Sequence, residues 1–377
     1  MKTESPVVAE LSWADVHGLR LARHHLLERA PKTKLDRVVG EICGVQAQVM
    51  SAAELQIVVR VDCTVQDVRD ALWKRKTLVK TWLMRGTLHL MRAADLPLFT
   101  AAMSTRWITV NKIWLKWVQL TEPELWTLVD AIGEAVDANP KTREELVAIA
   151  AKGRSAHVQE MLRSGWGGML KPAARNGRLC FGPSRGQNVT FVQPRQWLGT
   201  WSPVDPDAAL VEVARRYVRA YGPANKNDFS YWWGNWTGVR SAAWTGLQQE
   251  LAPVSVEGQR AYLLAADLKR IPAAPKSPSV QLLPNFDPYL MGWASRDHLF
   301  DPVHRSKVSR AAGWISPVLL VDGRVEAVWS YTLAKQRLLV VIKPFNSLSS
   351  KVVKLAGERA ESIAAALGAT LERVTLS

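Results

Sequence analysis

The chain has 377 residues, of which 47% are hydrophobic and 22% charged, and its 49 Lys and Arg stand against 34 Asp and Glu for a formal charge of +15. That composition excludes a disordered chain, and the length exceeds one ordinary core, predicting roughly two to four units at about 100–200 residues each. The cationic excess is spread along the chain instead of packed into a tail, which favours a folded surface facing a polyanion, nucleic acid before membrane.

No stretch approaches the ~18 uninterrupted apolar residues of a membrane span. The start Met1-Lys2-Thr3-Glu4-Ser5-Pro6 leads into acidic and polar residues rather than an apolar leader, so a cytoplasmic protein is expected. Cys43, Cys63 and Cys180 lack the two-residue spacing of a zinc knuckle or redox pair and are expected to be reduced, buried thiols. The seven histidines lack His-Glu-x-x-His or His-x-Glu patterns, so no metal or other cofactor is expected. Most of the 17 tryptophans, Trp232, Trp233 and Trp236 among them, are expected in the core, with a few left as stacking platforms.

In chain order, Ser12 to Leu27 places Val16, Leu19, Leu21, Leu26 and Leu27 at helical spacing, and Leu35 to Cys43 repeats the pattern with Asp36 near its start. The run Ile42-Cys43-Gly44-Val45-Gln46-Ala47-Gln48-Val49-Met50 follows, with two long amides where the pattern asks for core residues. A buried amide without hydrogen bonds costs about 1–3 kcal/mol, so these side chains either pair within the protein or face a cavity. Residues two apart share a side only in an extended segment. If Gln46 and Gln48 act together, the backbone around Ala47 is extended and both face one cavity.

Val65 to Lys74 reads as a helix, Leu78 to Met91 as a hairpin around Arg85-Gly86, and Asp95 to Trp107 as a further helix. Helices followed by a β element are the order of a winged helix, and the order recurs. Thr142 to Leu146 and His157 to Leu162 precede strands near Leu179–Phe181 and Val189–Val192, joined by a loop with a basic tip at Arg185. Ala208 to Tyr221, Asp228 to Trp233 and Arg240 to Leu247 precede strands near Leu251–Val256 and Ala261–Leu264. This is repetition of pattern without a sequence period. A linker marked by Pro272, Pro275 and Pro278 then leads to short strands around the Asp322-Gly323 turn, a strand over Arg337 to Ile342, and a helix over Ser350 to Leu367 that closes the chain.

Five strings occur together in order: Gln46-Ala47-Gln48, Leu83-Met84-Arg85-Gly86-Thr87-Leu88-His89-Leu90, Tyr221-Gly222-Pro223-Ala224, Leu282-Leu283-Pro284-Asn285-Phe286-Asp287 and Gly313-Trp314-Ile315-Ser316-Pro317. On these the chain, from residue 10 to 375, resembles the bacterial tandem winged-helix DNA glycosylases of the AlkZ type. The expected fold is α+β. Residues 1–118 hold the N-terminal helices and first winged helix, 119–204 the second, 205–270 the third, and 271–377 a small β sheet or barrel with a terminal helix. The resemblance implies that these units surround a basic DNA channel and that a monofunctional enzyme hydrolyses the bond between deoxyribose and a guanine alkylated at N7. It also implies double-stranded DNA carrying the lesion as the partner of a monomer, and places the enzyme at the nucleoid. The family's catalytic Gln-x-Gln maps onto Gln46 and Gln48. A second branch carries Gln-x-Asp, so the glutamine version favours bulky or crosslinked adducts, such as those of antibiotics against which a producer protects itself.

Alkylation at N7 already makes guanine a good leaving group, so the chemistry reduces to positioning a water and stabilising an oxocarbenium-like sugar. An amide can do both without titrating. Gln48 is expected to orient the water and Gln46 to hold the sugar or the water's second hydrogen bond. Arg85, Thr87 and His89 are expected to present to DNA from one strand face, Arg185 and Asn188 from a wing tip, and Asp287 and Arg296 as a positioning pair. No lysine is expected as a nucleophile; Lys74, Lys76 and Lys80 suit phosphate contacts. The competing reading is a non-catalytic winged-helix regulator or architectural protein with satisfied amides, but a dimeric regulator needs only one such unit per protomer.

Overall fold

A computed structural model describes residues 6–104, 110–199, 201–234, 238–270 and 278–377. Trp236, the end of the 95–107 helix reading at Trp107, and the linker prolines Pro272 and Pro275 lie outside the described residues. Helices begin where capping chemistry puts them. Ser12 with Asp15 opens Trp13–Arg23, Thr64 with Asp67 opens Val65–Trp73, Thr142 with Glu145 opens Arg143–Ala150, and Asn225 with Asp228 opens Lys226–Trp233. In each the first side chain accepts from the backbone three residues on, while the acid bonds back to the cap, satisfying donors that the helix leaves orphaned.

Three small three-stranded sheets follow three sets of helices. In one, Leu88–Arg92 lies between Val45–Gln46 and Leu78–Trp82. In the next, Asn188–Val192 lies between Lys141–Thr142 and Cys180–Arg185. In the third, Leu251–Val256 pairs with Gln259–Leu264 and, on its other side, with the N-terminal Glu10–Leu11.

Of the two forms expected for the C-terminal region, the sheet is the one present. It is an open five-stranded sheet, ordered Val280–Leu283, Val318–Val321, Arg324–Ala334, Arg337–Pro344, Thr370–Leu376, and among the described residues no pairing joins its two edges into a barrel. Nor does the helix Ser350–Ala366 end the fold. It is the crossover between Arg337–Pro344 and a parallel last strand, Thr370–Leu376. Parallel neighbours require such a crossover, and the helix lays Val352, Ala356, Ala360 and Ile363 into the core of the sheet.

That core is shared. Leu35, Val38, Ile42, Leu55 and Leu72 from the N-terminal helices pack in one cluster with Val280, Leu319, Trp329 and Ile342 of the last sheet. A second cluster joins Leu96 and Phe99 to Tyr217, Tyr221, Phe229, Trp232 and Trp233, and a third joins Leu125, Leu146 and Leu162 to Phe181 and Phe191. The hairpin Leu78–Arg92 supplies Leu78 and Leu90 to the first, Val79, Leu83, Met84 and Met91 to the second, and Trp82 to the third. Whatever lies against this hairpin is therefore held from three sides. Among the described residues no helix is long and apolar enough to cross a membrane.

Candidate active site

The Gln-x-Gln segment is placed by the way its preceding helix stops. Leu35–Glu41 ends in two consecutive left-handed residues, Cys43 (φ 60°) and Gly44 (φ 86°), whose amides bond back to Gly40 and Val39. Two such residues turn the chain sharply out of the helix. A side chain at Gly44 would put its Cβ 2.1 Å from Met91 Sδ, so only glycine fits this approach.

The chain then enters the edge strand Val45–Gln46, with Gln46 opposite His89 and the Ala47 amide bonded to the Leu88 carbonyl at 2.7 Å. Val45 and Ala47 point into the core, Gln46 is 7% exposed, and Gln48 is exposed. The extended backbone expected here is present at Gln46 but ends before Gln48, which sits in a bend leading into the helix Met50–Val58.

The two amides are consequently held in different settings. Gln46 Oε1 accepts from Arg85 Nη2 at 3.4 Å, and its backbone carbonyl accepts from Gln56 Nε2 at 3.2 Å. Gln48 Oε1 accepts from the Leu88 amide at 3.5 Å, a long bond that leaves the group free to turn toward another partner. Gln48, without Gln46, lines a cleft of about 580 Å³. The expectation that both face one cavity is not met, because side-chain parity holds along a strand and this strand is over by residue 46.

Around Gln48 the cleft is walled by Lys80, Trp82 and Leu88 from the hairpin, by Arg143 and Glu144 from a helix start, by Trp166 and Lys171, and by Phe181, Gln187 and Asn188 from the neighbouring hairpin. Three cations face one carboxylate among these residues. Burial lowers the pKa of the Lys80 ammonium, which stands 5.2 Å from the Phe181 ring, and lowers that of Lys171 as well, with the charge of Arg175 adding to the effect.

The remaining sequence candidates divide. Asn188 is exposed on the cleft and shares it with Gln48. Arg185, also exposed on that hairpin, donates to Glu145 Oε1 at 2.8 Å and to the Pro140 carbonyl. Arg85 lies in the turn between the strands, at φ 55°, so strand parity with His89 does not apply to it. Its guanidinium nevertheless turns inward to the Trp232 carbonyl, Gln46 and His89 Nε2, and burial lowers its pKa to about 10 without discharging it.

Four of the residues expected to contact DNA are turned to partners within the protein. Thr87 is half-buried and its hydroxyl donates to the Met84 carbonyl, closing the hairpin turn. His89 is 2% exposed, with Nδ1 on the Thr87 carbonyl; burial first, and then the charge of Arg85, lower its pKa to about 3, so it is neutral. Asp287 is fully buried in a two-pronged ion pair with Arg60, at 2.6 and 2.8 Å, where it has no surface to offer DNA. Arg296 makes no pair with it, donating instead to the Leu290 carbonyl and the Tyr231 hydroxyl. A carboxylate in a basic chain looks functional in sequence, but its partner Arg60 lies 227 residues away.

The three thiols are buried as expected, and burial pushes Cys43 and Cys63 up to about 12. Trp232 and Trp233 are packed in the core. Lys74 pairs with Asp70, and Lys76 lies 3.7 Å over the Trp197 ring.

Sequence reasoning missed two contributors. Gln56 is fully buried and bridges the Gln46 and Asn285 carbonyls, tying the glutamine segment to the Pro284-Asn285-Phe286 string. Trp166 is 82% exposed at the cleft, and its setting Gly165-Trp166-Gly167-Gly168, a large ring on a glycine turn, was the available signal.

Comparison with known proteins agrees with this architecture. A family model described as "DNA glycosylase AlkZ-like" matches residues 39–375. A Streptomyces sahachiroi protein named "Interstrand DNA cross-link repair glycosylase" is 36% identical over 364 residues, 95% of this chain and 97% of that protein. The solved structure of Streptomyces sahachiroi DNA glycosylase AlkZ superposes with a TM-score of 0.86 at 34% identity, covering 98% of this chain and all of that one.

Proposed function

The chain belongs to the AlkZ-like DNA glycosylase family, and on that premise we propose that it hydrolyses the N-glycosidic bond of N7-alkylguanine in double-stranded DNA. Bulky adducts and interstrand crosslinks are the lesions it serves, in keeping with the name of the Streptomyces relative. The observation that carries the reading is Gln48, an exposed amide with one long hydrogen bond, standing in a cleft whose charges are mostly cationic.

An N7-alkylated guanine leaves as a neutral base, so no strong acid is needed. Gln48 orients the attacking water through its carbonyl oxygen, and the same dipole faces the positive charge growing on the sugar. Gln46, standing off that cleft with its oxygen tied to the charged Arg85, fixes the short strand from which the chain bends to carry Gln48. Lys80, Arg143 and Lys171 compensate backbone phosphates, the term that dominates affinity for DNA.

The three sets of helices, each followed by a small sheet, are winged helices in this reading. They divide at about residues 118, 204 and 270, and together line a DNA channel in a monomeric, nucleoid-associated enzyme.

Excision of N7-methylguanine under single turnover, read as alkali-labile abasic sites, tests the assignment. Gln48→Ala is expected to lower the rate by about 10²-fold, the usual effect of losing one preorganised polar group at a reaction centre, and Gln46→Ala to lower it less. Full activity in both variants would overturn it. A crosslinked duplex should be converted to separable strands, and borohydride should trap no protein on DNA. A trapped adduct would instead bring Lys80, the partly desolvated amine in the same cleft, into the mechanism.

A further inference from the structure

Trp166 is 82% exposed, and among the described residues no ring or cation packs on its face. An indole left this open forgoes the burial that large aromatic side chains ordinarily contribute, so its setting matters. The turn beneath it is fixed. Gly167, at φ 64°, closes it with a 3.1 Å bond from its amide to the Ser164 carbonyl and in turn accepts from Leu170 and Lys171.

A Cβ on Gly167 would fall 2.4 Å from the Trp82 ring, so the turn rests directly on that buried indole. Trp82 is wedged against Phe181 and Phe191, at 4.7 and 6.2 Å between ring centroids. The exposed ring is thus carried on a rigid floor, at the wall of the cleft that holds Gln48, among Lys80, Arg143 and Lys171.

An open π face beside cations is the combination that binds nucleic-acid strands, with bases stacked on the ring and phosphates on the charges. We propose that Trp166 is a stacking residue: its indole lies against a nucleobase of the lesion site while Gln48 faces the sugar. This rests on the reading of Gln48 as the reaction centre. It adds a binding role that the chemical step does not require, so Trp166 acts on affinity rather than on bond cleavage.

Trp166→Ala and Trp166→Phe, compared with the unaltered protein on N7-methylguanine duplex, test it. The alanine variant is expected to bind about 5–150-fold more weakly, the range of one lost base–aromatic stack, with the loss falling mainly on Kd and less on the single-turnover rate at saturating enzyme. Phenylalanine should recover most of the affinity. Because no charge changes, the slope of log Kd against log salt should stay as it is, whereas Lys171→Gln should flatten it by about 0.9 for one phosphate contact.

A 2-aminopurine placed in turn on either side of the lesion and opposite it reports the stack itself. At one of these positions its fluorescence should be quenched by the protein and by Trp166→Phe but not by Trp166→Ala. Unchanged affinity in Trp166→Ala, or identical quenching at every position in both variants, overturns the proposal. A fully active Gln48→Ala together with weakened binding by Trp166→Ala would overturn the catalytic reading and leave the stack standing, so the two failures are separable.

Discussion

At the scale of single residues, polar side chains in apolar surroundings had two fates in this glycosylase. Gln48 faces a cleft, whereas His89 is held in the interior by Thr87 and Arg85 of its own hairpin and Asp287 by Arg60 of a distant segment. The difference has a measurable consequence for Asp287. Asp287→Ala leaves Arg60 charged and unpaired at zero exposure, which is expected to cost about 3–5 kcal/mol in denaturant unfolding; DNA affinity per folded molecule should not change. Gln56→Ala should cost less stability, about 1–3 kcal/mol for one buried and one part-buried carbonyl losing their donor, yet still slow single-turnover excision, because the Gln46 carbonyl is one of the two.

At the scale of elements, the hairpin Leu78–Arg92 and the edge strand on it decide where the glutamines go. The edge strand has two residues, enough to register Gln46 on His89 but too few to carry the pairing to Gln48. Gly44→Ala is expected to destabilise the protein by about 1–3 kcal/mol through its left-handed φ and to impair excision by shifting the strand from Met91. Adding Met91→Ala relieves the contact but not the backbone strain, so the double variant should recover only part of the loss in thermal unfolding.

The hairpins and capped helices themselves were legible, because their signals are local: Thr142 with Glu145, or Asp322 and Gly323 in the left-handed conformations of a tight turn. The final strand Thr370–Leu376 was not, since what makes it a strand is its partner, Arg337–Pro344, across the crossover helix.

At the scale of the whole molecule, burial of histidines sets a pH limit. His17, His24 and His89 are all buried, and desolvation lowers each pKa, to about 3 for His17 and His89 and well below the ordinary value for His24, with nearby arginines adding to the effect. They are neutral in the folded protein and protonate near pH 6.5 when it unfolds. Their contribution is therefore intact above pH 6.5 and is lost as the pH falls toward 3, each histidine removing about 1.4 kcal/mol per pH unit at most. Thermal midpoints measured from pH 7.5 to 4.5 should fall steeply below 6.5, and His24→Gln should flatten the slope.

Most helices, hairpins and turns, and the segment that bears the amides, can be read along the chain, because caps, periodicity and polar residues in apolar runs are properties of neighbours in sequence. Packing between distant segments sets the rest: that Gln48 and not Gln46 lines the cleft, that Asp287 is sealed by Arg60, and that Trp166 stands open in the cleft that Lys171 and Asn188 also line. Exposure and partnership are set by packing between segments tens to hundreds of residues apart, and no local pattern records which side of a bend faces the solvent.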